Sequence, residues 1–200
     1  MSNDSHHFSP FPDRFAAALE RLADVWKQFL IDTSKQHRLS PLQLQILWVL
    51  NRLKQPKDRT VSALSRYFGV TMATISDSLR VLRQKGYVQS QFLAEDQRFQ
   101  IFELTASGRA LLAQLPNFAD MLSEAFETIP FQAQEQTYEV LLHIIAALQQ
   151  QGVIQVQRMC FSCHFYRSHH RGYSHFCALL QQPLQTAELR LECPDYQPRS

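Results

Sequence analysis

The stretch TVSALSRYFGVTMATISDSLRVLRQKGYVQSQFLAEDQRFQIFELTASG, residues 60–108, decides the fold. Thr60 is an N-cap residue ahead of VSALSRYF, and Gly69 stops that short helix. Thr71 caps a second helix, MATISDSLRVLRQK, closed by Gly86. Period-two segments follow: a strand from Tyr87 to Phe92, a tip at Ala94-Glu95-Asp96-Gln97, and a return strand RFQIFELT. Thr105 then caps ASGRALLAQL, a helix that ends near Pro116. Two short helices joined across a glycine turn and followed by a hairpin are the outline of a winged helix-turn-helix.

The flanks supply long helices. Upstream, Phe15, Leu19, Leu22, Trp26 and Phe29 recur at helical spacing, with Leu30 and Ile31 widening the stripe. Ser40-Pro41 reads as an N-cap with proline at the first helical position, opening LQLQILWVLNRL, and Gln55 to Arg59 is a loop. Downstream, a helix over Phe118–Phe126 and a break at Pro130 precede QEQTYEVLLHIIAALQQQG. There Tyr138, Leu141, Leu142, Ile145 and Leu148 make one stripe, and Gly152 ends it. The expected architecture is mainly α with a small β-wing. It divides into a disordered N-terminus (1–10), an N-terminal dimerisation helix (11–36), the winged helix-turn-helix (37–109), C-terminal dimerisation helices (110–154) and a cysteine-rich extension (155–200).

In the helix from Thr71, the residues Ile75, Leu79 and Leu82 share one face and should pack inward. Thr71, Ala73, Thr74, Asp77 and Ser78 fall largely on the other side, with Ser76 and Arg80 near its borders. Short hydroxyls suit phosphate contacts and close approach to DNA, and the amides near Thr71 add an anion site.

The order of elements resembles the MarR family of bacterial transcription regulators. The most specific match is Asp96-x-Arg98 followed by Leu104-Thr105-x-x-Gly108, which looks like that family's wing and post-wing signature. ATISDSLRVLRQKGYV is similar to its recognition helix, and the resemblance covers residues 11–152. It implies that Arg98 enters the narrow, electronegative minor groove and that Asp96 orients the guanidinium. Asp77 departs from the pattern, because the family often has a basic residue there. A carboxylate near phosphates is unfavourable unless it pairs with an arginine or accepts from a cytosine amino group. The resemblance also implies a homodimer on a palindromic operator, paired through the helices at 11–31 and 134–151, and a small-molecule effector in the cleft between arm and winged helix.

Charge agrees with a division of labour. Net charge is +2, yet residues 57–109 hold eight Lys/Arg against five Asp/Glu, while residues 110–154 hold none against five. One surface can face a polyanion while the acidic arm avoids it. No stretch approaches the ~20 apolar residues of a membrane span. The start, MSNDSHHFSPFPD, lacks a basic segment followed by an apolar run, so the expected setting is cytoplasmic.

All four cysteines, Cys160, Cys163, Cys177 and Cys193, lie in the last 41 residues of the chain. The C-x2-C spacing of the first pair lets two thiolates from one turn grip one metal ion. Thirteen residues separate Cys163 from Cys177 and fifteen separate Cys177 from Cys193, so the repeated knuckle of a zinc ribbon is absent. Three states fit: a structural Zn2+ clip for a tail too small to build its own core, an iron–sulfur cluster on the same four thiolates, or free thiols acting as a redox switch. His164, His169, His170 and His175 are alternative ligands, His175 first among them. The motifs H-E-x-x-H and H-x-E…P-C-x-x-C are both absent, so no enzyme is expected. Besides a transcription regulator, a metal-binding protein-interaction module using the winged helix as scaffold fits the same features.

Overall fold

The computed structural model describes residues 10–93, 96–155 and 157–199, without the side chains of 93 and 96–99. The expected disordered start at 1–9 and the wing tip at 94–95 therefore lie outside the described residues. Seven α-helices and two small antiparallel sheets are described: α1 (Phe11–Gln36), α2 (Pro41–Arg52), α3 (Val61–Phe68), α4 (Met72–Gln84), β1 (Val88–Leu93), β2 (Asp96–Leu104), α5 (Ala106–Gln114), α6 (Phe118–Phe126), α7 (Phe131–Gln150), then β3 (Tyr166–His170), β4 (Tyr173–Cys177) and β5 (Gln182–Leu184). Among the described residues no helix is long and apolar enough to cross a membrane.

The caps read from the sequence form as hydrogen bonds. Ser40 and Gln43 complete a reciprocal capping box at α2, and the hydroxyls of Thr60, Thr71 and Thr105 accept from the amides three residues on. Gly69 ends α3 at φ 65°, a left-handed conformation that glycine adopts without a Cβ penalty. Leu44, Ile46 and Leu47 of α2, Leu64 of α3, and Ile75, Leu79 and Leu82 of α4 form a fully buried centre, closed by Val88, Phe102 and Leu104 of the wing strands. Trp26, Phe29, Trp48 and Phe118 meet in an aromatic group that fastens α1, α2 and the start of α6 together.

The wing is anchored at its base. Thr60 bridges Ile101, and the half-buried Arg59 donates to Glu103 on β2 at 2.6 Å. Arg59 also donates to the Leu53 carbonyl, so one guanidinium ties the end of α2 to the return strand. The return strand begins at Asp96, two residues earlier than expected, with a register shift where Leu93 pairs Asp96. Behind the hairpin, the Thr105 hydroxyl donates to the Gly86 carbonyl at 2.6 Å and its amide donates to Tyr87 at 3.0 Å. A Cβ on Gly108 would run into the Tyr87 carbonyl, which is the physical reason for glycine in Leu104-Thr105-x-x-Gly108.

The C-terminal extension is more than a loop. Residues 157–199 hold two 3-10 turns (Cys160–Ser162 and Thr186–Glu188) separated by the meander β3-β4-β5. This unit packs on α7 in a second core of Leu142, Ala146, Met159, Cys163, Tyr166 and Leu189, joined by Tyr138, Ile145 and Phe161. Tyr138 of α7 donates to the Leu189 carbonyl at 2.9 Å. The apolar stripe of α7 is thus covered largely by its own chain, and the tail does have a core, borrowed from the helix before it. Exposed apolar residues remain on α1 (Phe11, Leu19, Leu22, Val25), on α6 (Met121, Phe126) and at the start of α7 (Phe131).

Candidate nucleic-acid interface and cysteine cavity

The first half of α4 stands clear of the core. Thr71, Met72, Ala73, Thr74, Ser76, Asp77 and Arg80 are exposed, while Ile75, Leu79 and Leu82 seat the helix on α2 and α3. Small side chains on the outward face leave the backbone accessible for close approach to a groove. Ser78 does not join them. It lies on the stripe 75, 78, 79, 82, is only 8% exposed, and turns its hydroxyl back to the Thr74 carbonyl at 2.9 Å. Its assignment to the DNA-facing side is therefore corrected: a position three after Ile75 returns to the buried face.

Asp77 pairs with Arg80 at 2.8 Å, both of them exposed. This is the arginine partnership that makes a carboxylate tolerable beside phosphates. Thr71 and Thr74 share a hydroxyl contact of 2.8 Å, and the Thr74 amide is already taken by Thr71, so the anion site at this helix start has one fewer donor than expected. Met72, which the pattern of hydroxyls did not single out, is among the most exposed apolar residues of the winged helix. Asp96 and Arg98 lie on β2 at the distal end of the wing, and their side chains are outside the described residues.

The second site is in the C-terminal unit. Cys160 and Cys163 sit at either end of a 3-10 turn, Cys177 ends β4, and Cys193 follows the last turn; all four line one cavity of about 30 Å3. Phe165, Tyr166, Leu179, Leu180 and Leu184 supply its apolar wall. Burial pushes the Cys160 thiol up, the Arg190 amide donating to its Sγ at 3.2 Å pulls it down, and the other three cysteines each push it up further. Among the described residues, no three His, Cys, Asp or Glu side chains stand close enough together to hold one metal ion.

Among the described residues, no histidine lines the cavity. His175, the foremost alternative ligand, is 5% exposed and engaged elsewhere: Nδ1 meets the Tyr166 hydroxyl at 2.7 Å and Nε2 lies 3.6 Å from Glu139 of α7. It is a core histidine whose burial keeps its pKa below the ordinary value. Burial likewise pushes Tyr166 up to about 12, with Glu139 adding to the effect.

The two sites are physically joined. Arg158, two residues before Cys160, pairs with Asp58 in the turn ahead of α3, and donates to the carbonyl of Pro194 beside Cys193. On the same side, Tyr67 of α3 donates to Glu192, the neighbour of Cys193, and Arg52 of α2 lies 3.9 Å from that carboxylate. Burial and the Glu192 carboxylate both hold the Tyr67 hydroxyl protonated. Between these contacts lies a cleft of about 680 Å3, lined on one side by Arg52, Lys54 and Arg66 and on the other by Gln157, Arg190 and Cys193. Arg59 and Tyr67 were not singled out from sequence. Gly108 was already marked by its place in the post-wing motif.

Residues 38–98 match the sequence model of the MarR family. No curated protein matches the chain. Among solved structures it is similar to the transcriptional regulator PA3341 (26% identity, TM-score 0.59), covering 68% of this chain and 98% of that one. It is also similar to a Staphylococcus aureus MepR–DNA complex (22% identity, TM-score 0.56, 68% and 98%). A MarR/EmrR family transcriptional regulator from Acinetobacter sp. ADP1 matches at 19% identity, with a TM-score of 0.56 and coverage of 71% and 99%. The chain has the winged-helix fold of that family. About a third of it has no counterpart in these neighbours, which are themselves matched almost end to end.

Proposed function

We propose that this protein is a dimeric, sequence-specific DNA-binding transcription regulator, a repressor whose operator affinity responds to its four-cysteine site or to a small ligand. The observation that carries the reading is the exposed, small-residue N-terminal half of α4, held by a leucine core and flanked by a wing braced through Arg59 and Glu103. Thr71, Ala73, Thr74 and Ser76 approach the major groove, the Asp77–Arg80 pair borders it, and Arg98 follows the minor groove with Asp96 beside it. The DNA seen with MepR in one structural neighbour supports the same partner here.

One winged helix reads only a half-site, so a palindromic operator calls for two copies. The exposed Phe11, Leu19, Leu22 and Val25 on α1, with Met121 and Phe131, supply the apolar surface that a second copy would bury. The 680 Å3 cleft between helix-turn-helix and C-terminal unit has the size of a small-molecule site, and an effector there would act on Tyr67 and Asp58 directly. The same contacts would carry a change at the cysteine site to α3 and then to α4.

The test is fluorescence anisotropy on the DNA upstream of the protein's own gene, over a range of salt, together with sedimentation of the free protein. A dimer whose DNA affinity falls linearly in log–log terms with salt supports the reading. A monomer with no salt-dependent DNA binding defeats it, and would favour an interaction module built on the same fold.

A further inference from the structure

We propose that the cleft between the helix-turn-helix and the C-terminal unit binds a small polyanion, a molecule carrying two or more phosphate or carboxylate groups. This rests on the reading of the cleft as the small-molecule site and gives that ligand its chemistry, independently of whether the chain binds DNA.

The first ground is the charge of the lining. Arg52, Lys54, Arg66, Arg158 and Arg190 line the cleft, against two carboxylates, Asp58 and Glu192. Both carboxylates are already engaged. Asp58 pairs with Arg158, and Glu192 accepts from Tyr67 with Arg52 at 3.9 Å. Among the described residues, the side chains of Lys54, Arg66 and Arg190 have no hydrogen-bond or ion-pair partner. Three cations are thus left over around a concave space, whose protein walls focus their field on whatever enters. Like charges around one cleft repel each other, and an anion among them turns that repulsion into attraction.

The second ground is how those cations are mounted. The Arg190 amide donates to the Cys160 sulfur at 3.2 Å, and its carbonyl accepts from the Cys160 amide at 2.9 Å. The Lys54 carbonyl accepts from Arg59 at 3.2 Å. Arg66 belongs to α3, which the fully buried Leu64 seats in the core. Each backbone is held while the charged end stays open, so binding has only side chains to order. The guanidinium groups of Arg66 and Arg190 present planar forks that match two oxygens of a phosphate or carboxylate, and Lys54 adds a point charge. Lys54 and Arg66 stand on one wall and Arg190 on the other, which favours a ligand with more than one anionic group.

The third ground is size and place. At about 680 Å3 the cleft falls within the range of about 300–1,000 Å3 typical of small-molecule sites. Leu53, Ala63, Tyr67 and Pro194 give it apolar surface for the rest of such a molecule. No described residue of α4 or of the wing lines it, so these cations stand apart from the face offered to DNA.

The deciding experiment is calorimetric titration of the full-length chain with inorganic pyrophosphate, in metal-free buffer at low salt and without DNA. The expected result is one saturable site per chain that weakens as sodium chloride is raised. Arg66→Gln and Arg190→Gln should each weaken it about tenfold or more, whereas Arg21→Gln, on α1 and outside the cleft, should leave it unchanged. Both cleft side chains are exposed and unpartnered among the described residues, so these variants should keep the wild-type melting midpoint. A parallel titration with citrate distinguishes a carboxylate source from a phosphate one, the tighter of the two supporting its class. No saturable binding of either anion overturns the proposal, as does equal affinity in the wild type and both cleft variants. Non-specific duplex DNA that loses affinity in both cleft variants, with no pyrophosphate binding, would assign the charges to the DNA backbone and also overturn it. Because the titration contains no DNA, its failure and a failure of operator binding are read separately.

Discussion

The winged helix and the C-terminal unit solve the problem of a small core in different ways. In the winged helix the centre consists of leucines and isoleucines from three helices, each almost fully excluded from water, and the wing strands close it. In the C-terminal unit the centre is Met159, Tyr166, Leu189 and a cysteine, spread over short strands and turns and completed by the side of α7. The first holds itself up by apolar burial and leaves one helix face free for a partner. The second needs a neighbour on one side, the face of α7. All four cysteines are found in the second.

Four substitutions probe that contrast. The largest effect is expected from Leu79→Ala, which removes a side chain packed between α4 and the centre of the winged helix. Such truncations cost about 2–5 kcal/mol, and denaturant unfolding of the winged helix should shift by that amount. Leu189→Ala, in the shared core, should instead open the C-terminal unit locally, visible as faster amide exchange over 160–193. Equal global losses from the two would erase the distinction between the regions.

Next comes Gly108→Ala. Its Cβ would strike the Tyr87 carbonyl, which is already bonded to the Thr105 amide, so the backbone has little room to yield. A loss of about 1–3 kcal/mol is expected, with the wing's exchange protection falling alongside. An unchanged melting midpoint would show that the α5–wing contact is looser than described.

The smallest effect is expected where the two regions meet. Arg158→Met leaves Asp58 without its partner in a part-buried pair, for a stability change of roughly 1 kcal/mol. Its signature should be local, in the exchange of residues 55–60 and 190–194. A change confined to the C-terminal unit would mean that the pair does not transmit to α3.

Legibility in the sequence followed the same division. The caps at Ser40, Thr60, Thr71 and Thr105, the turn at Gly69 and the inward stripe of α4 were all readable, because each is a local rule of spacing or backbone geometry. Ser78 was misplaced because a serine on a helix invites a polar reading, although its position three after Ile75 returns it to the core. The cysteines were visible as a group, but their convergence on one cavity depends on the meander that brings Cys177 beside the turn at Cys160. That meander was not read from the sequence; Gly172 turns its first hairpin at φ 84°. Contacts between distant segments, such as Arg158 with Asp58 and Tyr67 with Glu192, leave no local trace at all.

The central claim, that the outward face of α4 and the wing read DNA, is tested most directly by comparing operator binding of the wild type with Ala73→Glu and Arg98→Ala. Ala73 is exposed and touches no core, so a carboxylate there should leave the melting midpoint unchanged while repelling phosphates. The account predicts that Ala73→Glu abolishes specific binding, and that Arg98→Ala weakens it while reducing its salt dependence by about one phosphate contact. Folded variants that bind the same DNA as tightly as the wild type would contradict it.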